Sequence, residues 1–175
     1  MIDPKASLLL LIDFQARLMP AIHDGAQAVK NATWLATAAQ MLNVPVLLTE
    51  QNPKGLGTTV PEIPADHATL FVKTSFGACA QPGFLNHVPP DAQIIVGGCE
   101  THVCVLQTVL GLIGAGRRVF VVSDAAGSRT PDNKAAALAR MARHGAEIVT
   151  TEMVLFEWLV SADHPQFRQI AALIK

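Results

Sequence analysis

The sequence predicts an α/β fold of three layers, α/β/α, with a mostly parallel sheet at the centre. Three observations predict it. Apolar runs bounded by turn residues recur along the chain, the runs are continuous rather than alternating, and helix-like stretches separate them. Continuous apolar runs mark strands covered on both faces, and regular alternation of strand with helix gives a parallel sheet. Half of the 175 residues are apolar, 15% are charged and the mean hydropathy is +0.34, which suffices for a sizeable core. No repeat, low-complexity tract or linker interrupts the chain. Residues 1–175 are therefore expected to form one domain.

In chain order, the strands are expected at SLLLLID (7–13), VPVLLTE (44–50), ATLFVKT (68–74), QIIVGG (93–98) and RVFVVSD (118–124), with a weaker sixth at AEIVTTE (146–152). About six strands wound in this way make a Rossmann-like sheet. The stretch from His23 to Leu42 is Ala-rich with apolar residues at helical spacing. Thr101 to Ala115 is apolar almost all round. Pro131 to His144 carries Thr130 as N-cap, Pro131 in the first turn and Gly145 just past its end. A last helix is expected from Gln166 onward. Two long connections, 51–67 and 75–91, are rich in Pro and Gly, and long loops in such folds often carry function.

A helix without a polar face must be covered on every side. For Thr101–Ala115 the expected cover is a subunit interface, hence a homo-oligomer; the alternative is cover by the flanking loops of the same chain. Lys and Arg total 13 against 14 Asp and Glu, a net charge of −1. That balance argues against a nucleic-acid or anionic-membrane partner held by electrostatics, and leaves a small molecule as the expected partner. Three cysteines without C-x-x-C spacing make neither a disulfide framework nor a structural zinc site. The run Leu8–Ile12 is too short for a signal segment or a membrane span. A soluble, cytoplasmic protein is the expectation.

In open parallel sheets, ligands bind beyond the carboxyl ends of the strands. Asp13 ends the first strand, Lys73 stands near the end of the third, and Cys104 follows the fourth in the first turn of the apolar helix. Three groups of different chemistry could thus converge in one crevice. A helix N-terminus offers free N–H groups and a positive partial charge, which favour a thiolate and could receive an oxyanion. An Asp can take the thiol proton, and a Lys can orient that Asp. Taken singly, each has a plainer role, Cys104 as a small core residue, Asp13 as a loop cap and Lys73 as a solvated cation; their joint placement is what points to chemistry. Around them, Gln15 could bind substrate or hold a loop, and Glu50 could contact substrate or anchor a loop. Phe76 and Phe84 could line a pocket or belong to the core. His102 could serve as a base or substrate contact, or be merely exposed. Asp124 is expected to accept backbone bonds in the turn before Ser128 and Arg129.

These segments resemble the isochorismatase-like cysteine hydrolase superfamily, which includes nicotinamidases. The resemblance rests on LLLLIDFQ (8–15), VKTSFGA (72–78), VGGCETHVCV (96–105) and VFVVSDAAGSRTP (120–131), in that order, and spans nearly the whole chain. It is closest to the small branch with Thr-Glu-Gln after the second strand, here Thr49 to Gln51. The resemblance implies a triad of Asp13, Lys73 and Cys104. It also implies a cis Cys99–Glu100 peptide and an oxyanion hole from the N–H groups of Glu100 and Cys104. Nicotinamidase-type members hold a metal with an Asp-x-His motif and a further His; this chain has Glu50-Gln51-Asn52-Pro53 there, so no metal is expected. Members that cleave isochorismate typically lack the Cys, so isochorismate is not the expected substrate. Gly55-Leu56-Gly57 lacks the Lys-Ser/Thr of a phosphate loop and no G-x-G-x-x-G follows a strand, so no cofactor is expected. The expected function is cysteine-dependent hydrolysis of a small amide-like C–N bond. The alternative is a non-catalytic oligomer of the same fold that binds a small molecule or a protein.

Overall fold

The computed structural model describes all 175 residues. Six strands form one sheet: β1 (Ser7–Ile12), β2 (Val46–Gln51), β3 (Ala68–Lys73), β4 (Gln93–Cys99), β5 (Arg118–Gly127) and β6 (Glu147–Val149). Their spatial order is β3-β2-β1-β4-β5-β6, and every neighbouring pair is parallel. The chain winds outward from β1 in one direction and from β4 in the other. The switch point therefore falls between β1 and β4, where a crevice can open at the carboxyl ends. Ile12 stands level with Thr49 of β2 and Gly98 of β4, and Gln51 with Lys73 of β3. This register brings Asp13, Glu50, Lys73 and Cys99 to one end of the sheet.

Helices cover both faces, as burial of every residue of β1 requires. Helices α1 (Gly25–Met41), α5 (Thr151–Leu159) and α6 (Phe167–Leu173) pack on one face around Leu9, Leu11, Leu35, Ile95, Phe120 and Trp158. On the other face, α3 (Leu106–Gly114) and α4 (Pro131–Arg143) pack with the 78–88 segment around Leu10, Ile12, Phe84, Val96 and Val109. A single turn, α2 (Pro53–Leu56), lies in the first long loop. Thr130 caps α4 by accepting from the Asn133 N–H. Gly98, at φ +152°, is required where β4 crosses β1, because a Cβ there would lie 2.5 Å from the Ile12 carbonyl oxygen.

Three departures from the expected elements have physical causes. The register of β4 against β5 shifts between Val96 and Gly98, so β5 runs on to Gly127 rather than ending at Asp124. The sixth strand is only Glu147–Val149: Thr150 accepts from the Met153 N–H and starts α5, a helix the sequence reading lacked. The apolar helix is covered in part within the chain. Its buried face, Leu106, Thr108, Val109 and Leu112, packs within the chain, and the 77–80 turn lies over it. A Cβ at Gly111 would come 2.7 Å from Cys79, which shows how closely that turn approaches. The flanking loop thus supplies part of the cover, through Ala78, Cys79 and Phe84, and leaves Leu110 and Ile113 only partly buried.

Candidate active site

Asp13 follows the last residue of β1 and is entirely buried. Its backbone is left-handed, φ 54°, a conformation uncommon outside glycine and tolerated best by Asp and Asn. Strained backbone of this kind concentrates at functional sites. Three side chains address its carboxylate. The Lys73 ammonium donates to Oδ2 at 2.7 Å and the Thr49 hydroxyl to Oδ1 at 2.6 Å. The Cys104 thiol lies close enough for the two groups to perturb each other. Lys73 spends its remaining protons on the carbonyls of Ser75, 3.2 Å, and Phe76, 3.0 Å. The ion pair is fully enclosed, each side chain 0% exposed.

Cys104 sits in a π-helical turn, Thr101–Val105, that leads into α3. It is 7% exposed, against 0% for Asp13 and 1% for Lys73. The cavities at α1, at the N-terminus and beside β2 are not lined by Asp13, Lys73 or Cys104. The thiol is pushed up to about 12, first by burial and then by the Asp13 carboxylate, against a smaller downward pull from Lys73. This corrects the expectation of a lowered thiol value. Desolvation is the largest cause, and the Lys73 charge is already matched by Asp13. Burial likewise raises the Asp13 carboxyl, with the Lys73 charge and hydrogen bond, then Thr49 and Cys104, working the other way. A thiol so raised is held protonated at neutral pH.

The Cys99–Glu100 peptide is cis. The Glu100 N–H has no acceptor within the chain. Glu100 is 6% exposed, and its carboxylate receives the Arg129 guanidinium at 2.7 Å from Nη2, with further bonds from Nε and from the Arg129 backbone N–H at 3.0 Å. Those bonds hold the Glu100 carboxyl below its ordinary value, against burial. A depressed value in the fold means that the stabilisation is fully present above pH 4.5, the ordinary value, and is lost as pH falls through the folded value. Glu100→Gln should accordingly lower the melting temperature at neutral pH, with the gap to wild type closing in acid. A gap independent of pH would assign the loss to packing instead.

The expected contact residues divide. Gln15 is fully buried and holds the first long loop: its Nε2 donates to the carbonyls of Gln51 and Gly57, and its Oε1 accepts from the Gln51 N–H. Glu50 accepts from the N–H and hydroxyl of Thr59, which makes it a loop anchor rather than a contact. Both amide and carboxylate are drawn inward because the loop crosses over the strand ends, so neither is presented to a substrate. Phe76 is exposed at the surface and serves the site through its carbonyl. Phe84 is core, edge-on to Phe71. His102 is half-buried, with Nδ1 3.1 Å from the Ser128 hydroxyl. Asp124 anchors the start of α5 through Thr151, not the turn before Ser128. Sequence reasoning missed Thr49 as a partner of Asp13 and Arg129 as a partner of Glu100. For Thr49 the available signal was its place at the end of the strand beside β1.

No group of three or more His, Cys, Asp or Glu side chains is arranged to hold a metal ion. No helix is long and apolar enough to cross a membrane.

Residues 7–153 match the family model of the isochorismatase domain. Isochorismatase domain-containing protein 2 of Danio rerio is 37% identical over 175 residues, spanning 99% of this chain and 89% of that protein. The structure of MAR1 ribonuclease from Caenorhabditis elegans superposes with a TM-score of 0.93 at 34% identity, covering 99% of this chain and 91% of that one. YcaC from Escherichia coli, described as an octameric hydrolase of unknown specificity, superposes with a TM-score of 0.91 at 28% identity, covering 99% and 88%. Membership of such a family supports a hydrolase-type function, and on these matches the chain belongs to the isochorismatase family.

Proposed function

We propose that residues 1–175 act as a single cysteine hydrolase domain that cleaves a small amide-like C–N bond through a thioester on Cys104, without a metal or cofactor. One observation carries the reading: Asp13, Lys73 and Cys104, from three separate strand ends, lie together, with Asp13 ion-paired to Lys73 and beside the Cys104 thiol. Asp13 takes the thiol proton as Sγ attacks the substrate carbonyl carbon. The oxyanion is received by the N–H groups of Glu100 and Cys104, each aligned donor contributing about 3 kcal/mol to the barrier reduction. Asp13 then returns the proton to the leaving nitrogen as the C–N bond breaks. A water, deprotonated by Asp13, hydrolyses the thioester and releases the acid and the free thiol. Because the thiol rests protonated, transfer to Asp13 must accompany attack, and the raised carboxyl of Asp13 suits it to receive that proton. Lys73 is the positioning residue for Asp13. Of the residues first expected to touch substrate, His102 and Phe76 remain at the rim.

The octameric relative supports self-association of this chain as well. A second reading, ribonuclease action, is suggested by the nematode relative. RNA binding draws on clustered Lys and Arg; here 13 basic residues face 14 acidic ones, and Lys73 is enclosed. A small cytoplasmic substrate is the better fit. The deciding experiment is a panel of small amides, ureides and carbamates read by ammonia or amine release, with an RNA arm and Cys104→Ala as control. Release dependent on Cys104 supports the proposal. RNA cleavage that survives Cys104→Ala, or a complete panel with no release and no acyl adduct on Cys104, overturns it in favour of the ribonuclease or the binding module.

A further inference from the structure

Strand β3 is an outer edge of the sheet, and its backbone shows which groups face outward. The Lys73 carbonyl accepts from the Asn52 N–H at 2.9 Å, so Lys73 is turned toward β2. Alternation then turns Phe71 and Thr69 the same way, and Leu70 and Val72 outward. The two ends of the edge are closed. The Ala68 N–H donates to the Ala65 carbonyl; the Thr74 N–H donates to Gln81 Oε1, and the Thr74 carbonyl accepts from Gln51 Nε2. What stays open is the N–H and C=O of Leu70 and Val72.

The side chains at those two positions are apolar and exposed, Leu70 at 50% and Val72 at 52%. Natural sheets guard such edges with outward charges, prolines or bulges. From Ala68 to Phe76 the only charged residue is Lys73, and its ammonium is buried on Asp13. The opposite edge differs. Strand β6 has three residues, and Glu147 there pairs with Arg118 in an exposed ion pair. One edge is guarded and the other is left open.

We propose that the open edge is filled by β3 of a second copy of this chain, antiparallel across a two-fold axis at Phe71, so that two sheets join into one. In this register Leu70 faces Val72 of the second copy, and Val72 faces Leu70. Each copy offers two donors and two acceptors at these residues, and the two-fold pairs all of them. The four apolar side chains then share one face as direct neighbours. Asp66, the nearest exposed acid, falls at opposite ends of the pair, so no like charges oppose. A second copy fits better than a foreign strand because the open segment is complementary to itself in length, bonding and charge. The strand so fixed is the one that carries Lys73 and leads to the Ser75 and Phe76 carbonyls that hold it. The pairing goes beyond the proposed self-association by naming its surface, and self-association through another surface would survive its failure.

The test combines amide exchange at residue resolution with light scattering. In the wild-type assembly the Leu70 and Val72 amides should exchange about tenfold or more slower than exposed amides. Val72→Pro removes an outward donor while leaving every bond to β2, since proline is tolerated at such edge positions; the Leu70→Lys, Val72→Lys double variant adds edge charges. Both should keep the wild-type circular dichroism and halve the mass of whatever assembly depends on the edge. Fast exchange at Leu70 and Val72 in a wild-type oligomer overturns the pairing while leaving oligomerisation intact. A wild type that is monomeric at all concentrations, or a folded Val72→Pro protein of unchanged mass, overturns it as well.

Discussion

Cys104→Ala is expected to reduce turnover to background, a loss on the order of 10⁶ in kcat where a nucleophile is removed from a working site, while the fold persists. The structural cost is small because the change deletes one sulfur at a position that already reaches solvent, and truncations of that size cost about 1 kcal/mol. The helix does not depend on the thiol. It is tied by the Cys104 carbonyl, which accepts from the Thr108 hydroxyl at 2.7 Å, and that hydroxyl in turn accepts from the Ala78 N–H. Circular dichroism and melting temperature should therefore stay near wild type while product release vanishes. Mass spectrometry of wild type during turnover should show an acyl adduct on the fragment with Cys104 and none on those with Cys79 or Cys99. Retained turnover in Cys104→Ala would falsify the nucleophile assignment.

The three cysteines are all free; the Cys79 thiol donates to the Thr108 carbonyl at 3.6 Å, and Cys104 lies against the Asp13 carboxylate. Burial pushes the Cys99 thiol up to about 12 and the Cys79 thiol up to about 11, so neither is intrinsically more protected by pKa than Cys104. What sets Cys104 apart is the carboxylate beside it. In the proposed mechanism its reactivity rests on proton transfer to Asp13 rather than on a standing thiolate, and a small neutral electrophile is the probe that reports it.

Much of the fold was legible because strands buried on both faces need no polar alternate positions, and β1 and β4 carry the continuous runs Leu8–Ile12 and Ile94–Val96. The same logic failed at α5. Val154, Leu155, Trp158 and Leu159 are buried among other apolar residues, so the stretch shows no clear helical period, and only Thr150 marks its start. In the site, Asp13, Lys73 and Cys104 were legible because each lies at or after a strand end. Their supports were not. The Ser75 and Phe76 carbonyls that hold Lys73 carry no residue-type signal, and Arg129 reaches Glu100 only because a shift between β4 and β5 lengthens the strand before it. The direction of the thiol shift was misjudged for the same reason: depth of burial is a property of the packed chain, not of the motif.

Lys73→Met should destabilise the protein by about 3–5 kcal/mol at neutral pH, the range for removing one partner of an enclosed ion pair. The loss comes from what is left behind. Asp13 would remain a buried carboxylate with Thr49 as its strongest remaining donor, and the Ser75 and Phe76 carbonyls would lose the ammonium they share. Asp13 already has a carboxyl raised above 3.8 by burial, and removal of Lys73 takes away the largest force opposing that rise. A carboxyl raised in the fold binds its proton more tightly than in the unfolded chain, so stability increases as pH falls through the folded value toward 3.8. The deficit of Lys73→Met relative to wild type should therefore shrink in mild acid, as for Glu100→Gln, but here because the variant gains stability rather than because the wild type loses it. Pairing the change with Asp13→Asn removes the stranded charge, and the double variant should recover most of the lost stability while remaining without turnover. Urea unfolding across pH, read beside product release, separates the two effects. A deficit below about 1 kcal/mol, or one that grows in acid, would mean that the ion pair is not the electrostatic keystone its enclosure implies.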